Sequence, residues 1–203
     1  AATYIHNAVL GFIEPYASSA CELLTEILQE VIDISSILQC EAEALLAGIV
    51  LDSKNFTLRT GERTFDAAAY LRRAGADPIV VKKFLQSGME DSIAKYKIMQ
   101  QAEQYKNVAI AVCREPTDRI VAAKAADEML NISGVDASIV LASSMTGSGS
   151  FASARSIGEM NMQILMEKLG GGGNRSAAAA QLKDVGVDEA RELLFKAIDD
   201  YYA

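Results

Sequence analysis

The segment GGGGNRSAAAAQL, residues 170–182, decides how the second half of the chain is interpreted. Four consecutive glycines separate helically spaced apolar residues, from Ile157 to Leu169, from apolar sequence that resumes directly after them. A glycine run can be a flexible linker, but linkers normally lie between polar, solvated ends. Glycine backbone can approach a ligand closely. We also expect a helix to begin just after the glycines, and the positive end of its dipole would favour a phosphate. We therefore predict a phosphate-binding loop inside a folded domain.

The composition limits the class of protein. Half of the 203 residues are hydrophobic, which is ample for a core, and no apolar run reaches the roughly 18 residues of a membrane-spanning helix. The net charge of −8 argues against a general nucleic-acid binder, which needs a basic face. It allows a small anionic ligand held by a few arginines, and a hard metal ion held by carboxylates. Cys21, Cys40 and Cys113 are odd in number and far apart, so we expect reduced, buried, cytosolic thiols.

Local signals predict helices in the first half of the chain and a mixed α/β domain in the second. In the first half we expect a strand over 8–13, a helix that begins with a capping box at Ser19 and Glu22, and an apolar segment over 42–51. After these we expect a helix capped by Thr64 that ends at Gly75, a helix that starts at Asp77-Pro78, and a longer polar helix over 90–105. In the second half we expect strands over 108–113, 137–144 and 150–156, and helices over 117–130, 157–169 and 188–202.

Two residues stand out as candidates for chemistry. Asp52 follows the apolar run 45–51, where a carboxylate either meets a metal ion or only ends the element. Arg155 shares one face of a predicted strand with Phe151 and Ser153. A planar guanidinium beside hydroxyls suits phosphate or base recognition, although a plain surface arginine is the alternative. Because His6 is the only histidine, no Ser-His-Asp or Cys-His set can be built.

Three segments carry a family resemblance. They are NAVLGFIEPYASSACELLTEIL (7–28), ALLAGIVLDSKNFTLRTGERTFDAAAYLRRAGADP (44–78) and FASARSIGEMNMQILMEKLGGGG (151–173). They closely resemble the C-terminal part of GdpP-type cyclic di-AMP phosphodiesterases, which are membrane-anchored bacterial enzymes of the DHH phosphoesterase superfamily. The resemblance implies a DHH domain that binds two manganese ions, followed by a DHH-associated domain that recognises substrate. The implied reaction is hydrolysis of the signalling nucleotide cyclic di-AMP to linear pApA.

The same resemblance implies roles for particular residues. Asp52 matches a metal ligand of the family, while Arg155, Ser156 and the glycines 170–173 match elements that recognise substrate. Ser153 and Asn174 complete the predicted substrate site, although the family usually has histidine where this chain has Asn174. Asparagine can donate a hydrogen bond to a phosphate but cannot carry a proton. The family's Asp-His-His motif is absent from the sequence, so we expect a fragment of a longer enzyme that is inactive by itself.

The expected fold class is α/β. Residues 1–85 would be the rear, mostly helical part of a DHH domain, 86–105 a helical connector, and 106–203 a mixed-sheet DHH-associated domain. The alternatives are another DHH phosphoesterase that acts on short oligoribonucleotides, and a non-catalytic nucleotide-binding module. We expect cyclic di-AMP and pApA as ligands, a cytoplasmic location, and no membrane contact by this chain. The apolar face around Phe195 and Ile198 is either core or the contact of a homodimer.

Overall fold

Two units make up the chain, one ending at Gln86 and the other beginning at Ser87. The computed structural model describes residue 9, residues 11–145, residue 147 and residues 149–203. The described residues of the first unit form four helices, α1 (Ala20–Val31), α2 (Gln39–Asp52), α3 (Glu62–Arg73) and α4 (Pro78–Phe84), with a 3-10 turn at Ile34–Ser36. Their core is apolar and includes Ala42, Leu46, Ile49, Ala67, Leu71 and Val81.

Local start signals place two of these helices correctly. The Ser19 hydroxyl accepts a hydrogen bond from the Glu22 N–H at 3.1 Å, and Asp77 caps α4 through the Ile79 N–H. The prediction that Thr64 caps α3 is wrong, because the N-cap residue is Gly61. Thr64 lies inside the first turn of the helix, where its hydroxyl accepts a hydrogen bond from the N–H of Gly61. The predicted strand over 8–13 is wrong for residues 11–13, which have no regular structure, while Ala8 and Leu10 lie outside the described residues.

A buried carboxylate joins α1 to α3. Glu22 is only 2% exposed, and its Oε2 accepts hydrogen bonds from the Ser18 hydroxyl at 2.5 Å and the Thr64 hydroxyl at 2.6 Å. A buried charge is tolerated only when its hydrogen bonds are made. Ser18 and Thr64 therefore matter for the packing of the first unit.

We expect Thr64→Val to destabilise the first unit by about 1–3 kcal/mol, because it leaves the Glu22 carboxylate with one hydroxyl partner fewer. Valine has nearly the same shape as threonine, so packing is preserved. Hydrogen exchange of the α1 and α3 amides measures the change. Thr57→Val is the control, since Thr57 is exposed; equal losses in the two variants would contradict the prediction.

The second unit is built on a six-stranded mixed sheet in the order β1-β2-β3-β4-β6-β5. Strands β2 and β3 are parallel, and every other neighbouring pair is antiparallel. The strands are β1 (Ala102–Tyr105), β2 (Val108–Thr117), β3 (Ala137–Ser144), β4 (Ser150–Ser156), β5 (Gly172–Gly173) and β6 (Ala177–Leu182). The helices are α5 (Met89–Met99), α6 (Arg119–Met129), α7 (Met162–Glu167) and α8 (Val187–Tyr202).

Alternating residues of the strands serve two separate cores. On one face, residues such as Ile139, Ala152 and Ala154 pack with α7 and α8. On the other face, Val140 and Phe151 pack with α5 and α6. Both faces of the central strands are therefore buried, which explains their nearly continuous apolar sequences.

The predicted α/β fold is confirmed, and strands β3 and β4 have the predicted bounds. Two predicted helices are shorter than expected, and a third is absent. The helix over 90–105 ends at Met99, because residues 102–105 pair with β2 as a strand. The helix over 157–169 is reduced to α7. No helix follows the glycines, because residues 177–182 form β6 and pair with β4. Alanine favours helix by itself, but pairing within the sheet overrides that preference.

The structure also resolves several smaller expectations. Cys113 is buried, and burial raises the pKa of its thiol, but Cys40 is exposed and so contradicts the expectation of a buried residue. Ile198 is fully buried and Phe195 packs against the same core, so this face belongs to the core. Within the described part of the chain, no helix is long and apolar enough to cross a membrane.

Candidate nucleotide-binding site

An open cleft of about 510 Å³ lies on the α6 side of the sheet, above β4 and β6. Helix α6 contributes Arg119 and Ala123 to one wall. Strand β6 supplies a floor of small side chains, on which Ala179 is exposed. The remaining lining residues are Phe151, Ala152, Ser153, Arg155, Gly172, Gly173, Ala177, Ala178, Ala180 and Gln181. A floor of alanine leaves room for a flat ring, and an arginine beside it can bind an anion.

Arg155 is held in a defined position within the cleft. Its Nε lies 3.2 Å from a carboxylate oxygen of Asp127 on α6, and its Nη1 donates to the carbonyl of Ala154 at 2.9 Å and to the Ser153 hydroxyl at 3.4 Å. A guanidinium has five N–H groups in a fixed planar arrangement, and these contacts fix the orientation of that plane through Nε and Nη1. The side chain is 18% exposed, so water only partly screens its charge.

The four glycines differ in their surroundings. Gly170 has a φ of +76° and ends α7, and the N–H of Gly171 donates to the carbonyl of Met166 at 2.9 Å. The N–H groups of Gly170 and Gly171 therefore satisfy carbonyls of α7 instead of facing a phosphate. Gly172 and Gly173 form β5 at the cleft. The glycines end α7 and form β5 of the sheet, so they are part of the folded unit and not a linker.

Asn174 and Ser156 lie outside the cleft. The Asn174 Oδ1 accepts hydrogen bonds from the N–H groups of Ser176 and Ala177, which organises the turn between β5 and β6. Ser156 is fully buried on the opposite face of β4, where its hydroxyl accepts from the N–H of Gly158. Of the predicted substrate residues, the structure thus brings together Ser153, Arg155, Gly172 and Gly173.

Asp52 is exposed at the last residue of α2 and belongs to the first unit. The chain turns sharply after it, because Lys54, Asn55 and Phe56 have φ values of 50°, 57° and 61°. Burial raises the pKa of the Cys21 thiol, and the negative charge of Asp52 raises it further. The described residues contain no group of three or more His, Cys, Asp or Glu side chains placed to hold a metal ion.

Sequence reasoning missed Arg119. It is the first residue of α6, and its guanidinium carbon lies 5.4 Å from the centre of the Phe151 ring. The only local signal at this position is the helix cap Asp118, which says nothing of the strand that the arginine contacts. Packing of α6 on the sheet brings Arg119 to the cleft.

The comparisons with known proteins point to a family of domains. Residues 105–203 match the DHHA1 domain family. Nearly the whole chain also matches curated relatives. It is 47% identical over 98% of its length to the cyclic-di-AMP phosphodiesterase PdeA of Listeria monocytogenes, and 46% identical over 98% of its length to the cyclic-di-AMP phosphodiesterase GdpP of Bacillus subtilis. The chain spans 31% of each relative's length.

A solved structure shares the fold. An exopolyphosphatase-related protein from Bacteroides fragilis matches 98% of this chain and 61% of its own with a TM-score of 0.84. Because the two sequences are only 19% identical, this likeness concerns the fold alone.

Proposed function

We propose that this chain is the substrate-recognising part of a phosphodiesterase that hydrolyses cyclic di-AMP to pApA. The main observation behind the proposal is that Arg155, Ser153 and Gly172 line the same cleft of the DHHA1 domain. The identity of 46–47% to cyclic-di-AMP phosphodiesterases supports the choice of ligand. Arg155 would bind a phosphate, and the alanine floor would accommodate an adenine.

The catalytic metals belong to the same proposal. Resemblance to the GdpP type supports two manganese ions in the longer enzyme, with Asp52 as one ligand, and a cytoplasmic position beside a membrane anchor. The resemblance places the other metal ligands in an Asp-His-His motif that this sequence does not contain. We therefore propose that this chain supplies recognition and that hydrolysis needs further residues.

We expect the 203-residue chain to bind cyclic di-AMP and pApA without hydrolysing either, with or without added manganese. Calorimetry measures binding, and anion-exchange chromatography of the nucleotide after incubation measures hydrolysis. Preference for oligoribonucleotides of three or more residues would favour the other DHH phosphoesterases instead. Formation of pApA by this chain would contradict the division between recognition and catalysis.

A further inference from the structure

Arg119 is a planar cation fixed on an aromatic ring at the edge of the cleft. Its guanidinium lies over Phe151, which is only 4% exposed, whereas Arg119 itself is exposed. The arginine therefore lies over the ring and remains exposed to solvent. Both residues line the cleft that contains Arg155.

Helix stability does not explain this arginine. It is the first residue of α6, where the positive end of the helix dipole disfavours a cation. It forms no ion pair within the part of the chain that the structure describes, whereas Arg155 is paired with Asp127. Its main described contact is the cation–π interaction with Phe151.

The spacing of Phe151 and Arg155 along β4 suits a nucleotide. Phe151 and Arg155 lie on the same face of β4, and four residues of a strand cover about 13 Å. Their side chains reach into the same cleft, across a floor that includes Ala177 and Ala179. A phosphate at Arg155 would therefore leave a base within reach of Arg119.

We propose that the Arg119 guanidinium, held on Phe151, is the platform on which one adenine of the bound dinucleotide stacks. Bases stack on guanidinium planes as they do on aromatic rings, and the exposed Arg119 is available for that contact. This proposal rests on the proposed function, because it takes the dinucleotide phosphate to be at Arg155.

The test compares Arg119→Lys with the unchanged chain, using pApA and two pApA analogues that each lack one adenine. Lysine keeps the charge but loses the plane. We expect the substitution to weaken pApA binding about tenfold, the usual scale of one base stack. For the analogue that lacks the stacked adenine, the same substitution should have no effect. Arg114→Lys is the matched control, since Arg114 is an exposed arginine outside the cleft.

The other outcomes overturn the proposal in distinguishable ways. Equal weakening of pApA and both analogues would assign Arg119 to a phosphate or sugar. Unchanged affinity for all three ligands would remove it from the site. If the unchanged chain bound neither pApA nor cyclic di-AMP, the proposed function would fail, and the role of Arg119 with it.

Discussion

Replacing Arg155 by alanine is expected to weaken the binding of cyclic di-AMP about 100-fold. Removing one partner of a largely desolvated charge pair costs about 2–5 kcal/mol, and the Arg155 side chain is only 18% exposed. The guanidinium is also held in place before binding by Asp127 and by the Ala154 carbonyl, so a ligand gains its contacts with little loss of side-chain entropy. Calorimetric titration of the folded variant gives the change in affinity.

Two controls separate ligand contact from structural damage. Asp127→Asn weakens the ion pair between Arg155 and Asp127 but keeps the guanidinium, so the affinity of this variant for cyclic di-AMP should change by only a few-fold. Arg114→Ala removes an exposed arginine outside the cleft and should leave the affinity unchanged. If Asp127→Asn lost as much affinity as Arg155→Ala, the arginine would act by holding α6 against the sheet instead of by contacting a phosphate.

Substituting alanine for Gly171 is expected to destabilise the second unit by about 3 kcal/mol. A Cβ atom at this position would lie 2.1 Å from the carbonyl oxygen of Ala179 and 2.5 Å from the Cα of Ala180. Both contacts are with backbone, so neither can be relieved by turning a side chain, and the glycine segment would have to move away from β6. Overpacking of this kind typically costs about 1–3 kcal/mol, and rigid backbone neighbours place it at the upper end.

The next glycine provides the matched control. A Cβ at Gly172 meets nothing within 4 Å, so Gly172→Ala should leave the free energy of unfolding within about 0.5 kcal/mol. Urea unfolding of both variants, with hydrogen exchange of the β6 amides to identify the unit that opens, measures the difference. Equal stability of the two variants would mean that close approach to β6 does not explain the glycine at 171. Because Gly172 lines the cleft, the affinity of Gly172→Ala for cyclic di-AMP also indicates how closely the ligand approaches the backbone at this position.

The candidate site could be predicted only in part. Alternation along β4 correctly places Phe151, Ser153 and Arg155 on one face, because side-chain direction in a strand depends only on local backbone geometry. The glycine loop was predicted as a phosphate cradle, but the N–H groups of Gly170 and Gly171 are taken up by α7. Asn174, where the family usually has histidine, serves the turn before β6. The roles of these residues depend on neighbours that come from elsewhere in the fold.

By itself, the sequence determined the mixed α/β class, the bounds of β3 and β4, and the helix starts at Ser19 and Asp77. Each of these features depends on the spacing of hydrophobic residues along the chain or on a helix cap formed by residues no more than three positions apart. Only the tertiary structure decided that residues 102–105 and 177–182 are strands, because pairing with β2 and β4 outweighs their local preferences. The tertiary structure also determined which residues line the cleft. Arg119 and Arg155 come from elements far apart in the chain, and only the packing of α6 against the sheet brings them to one site.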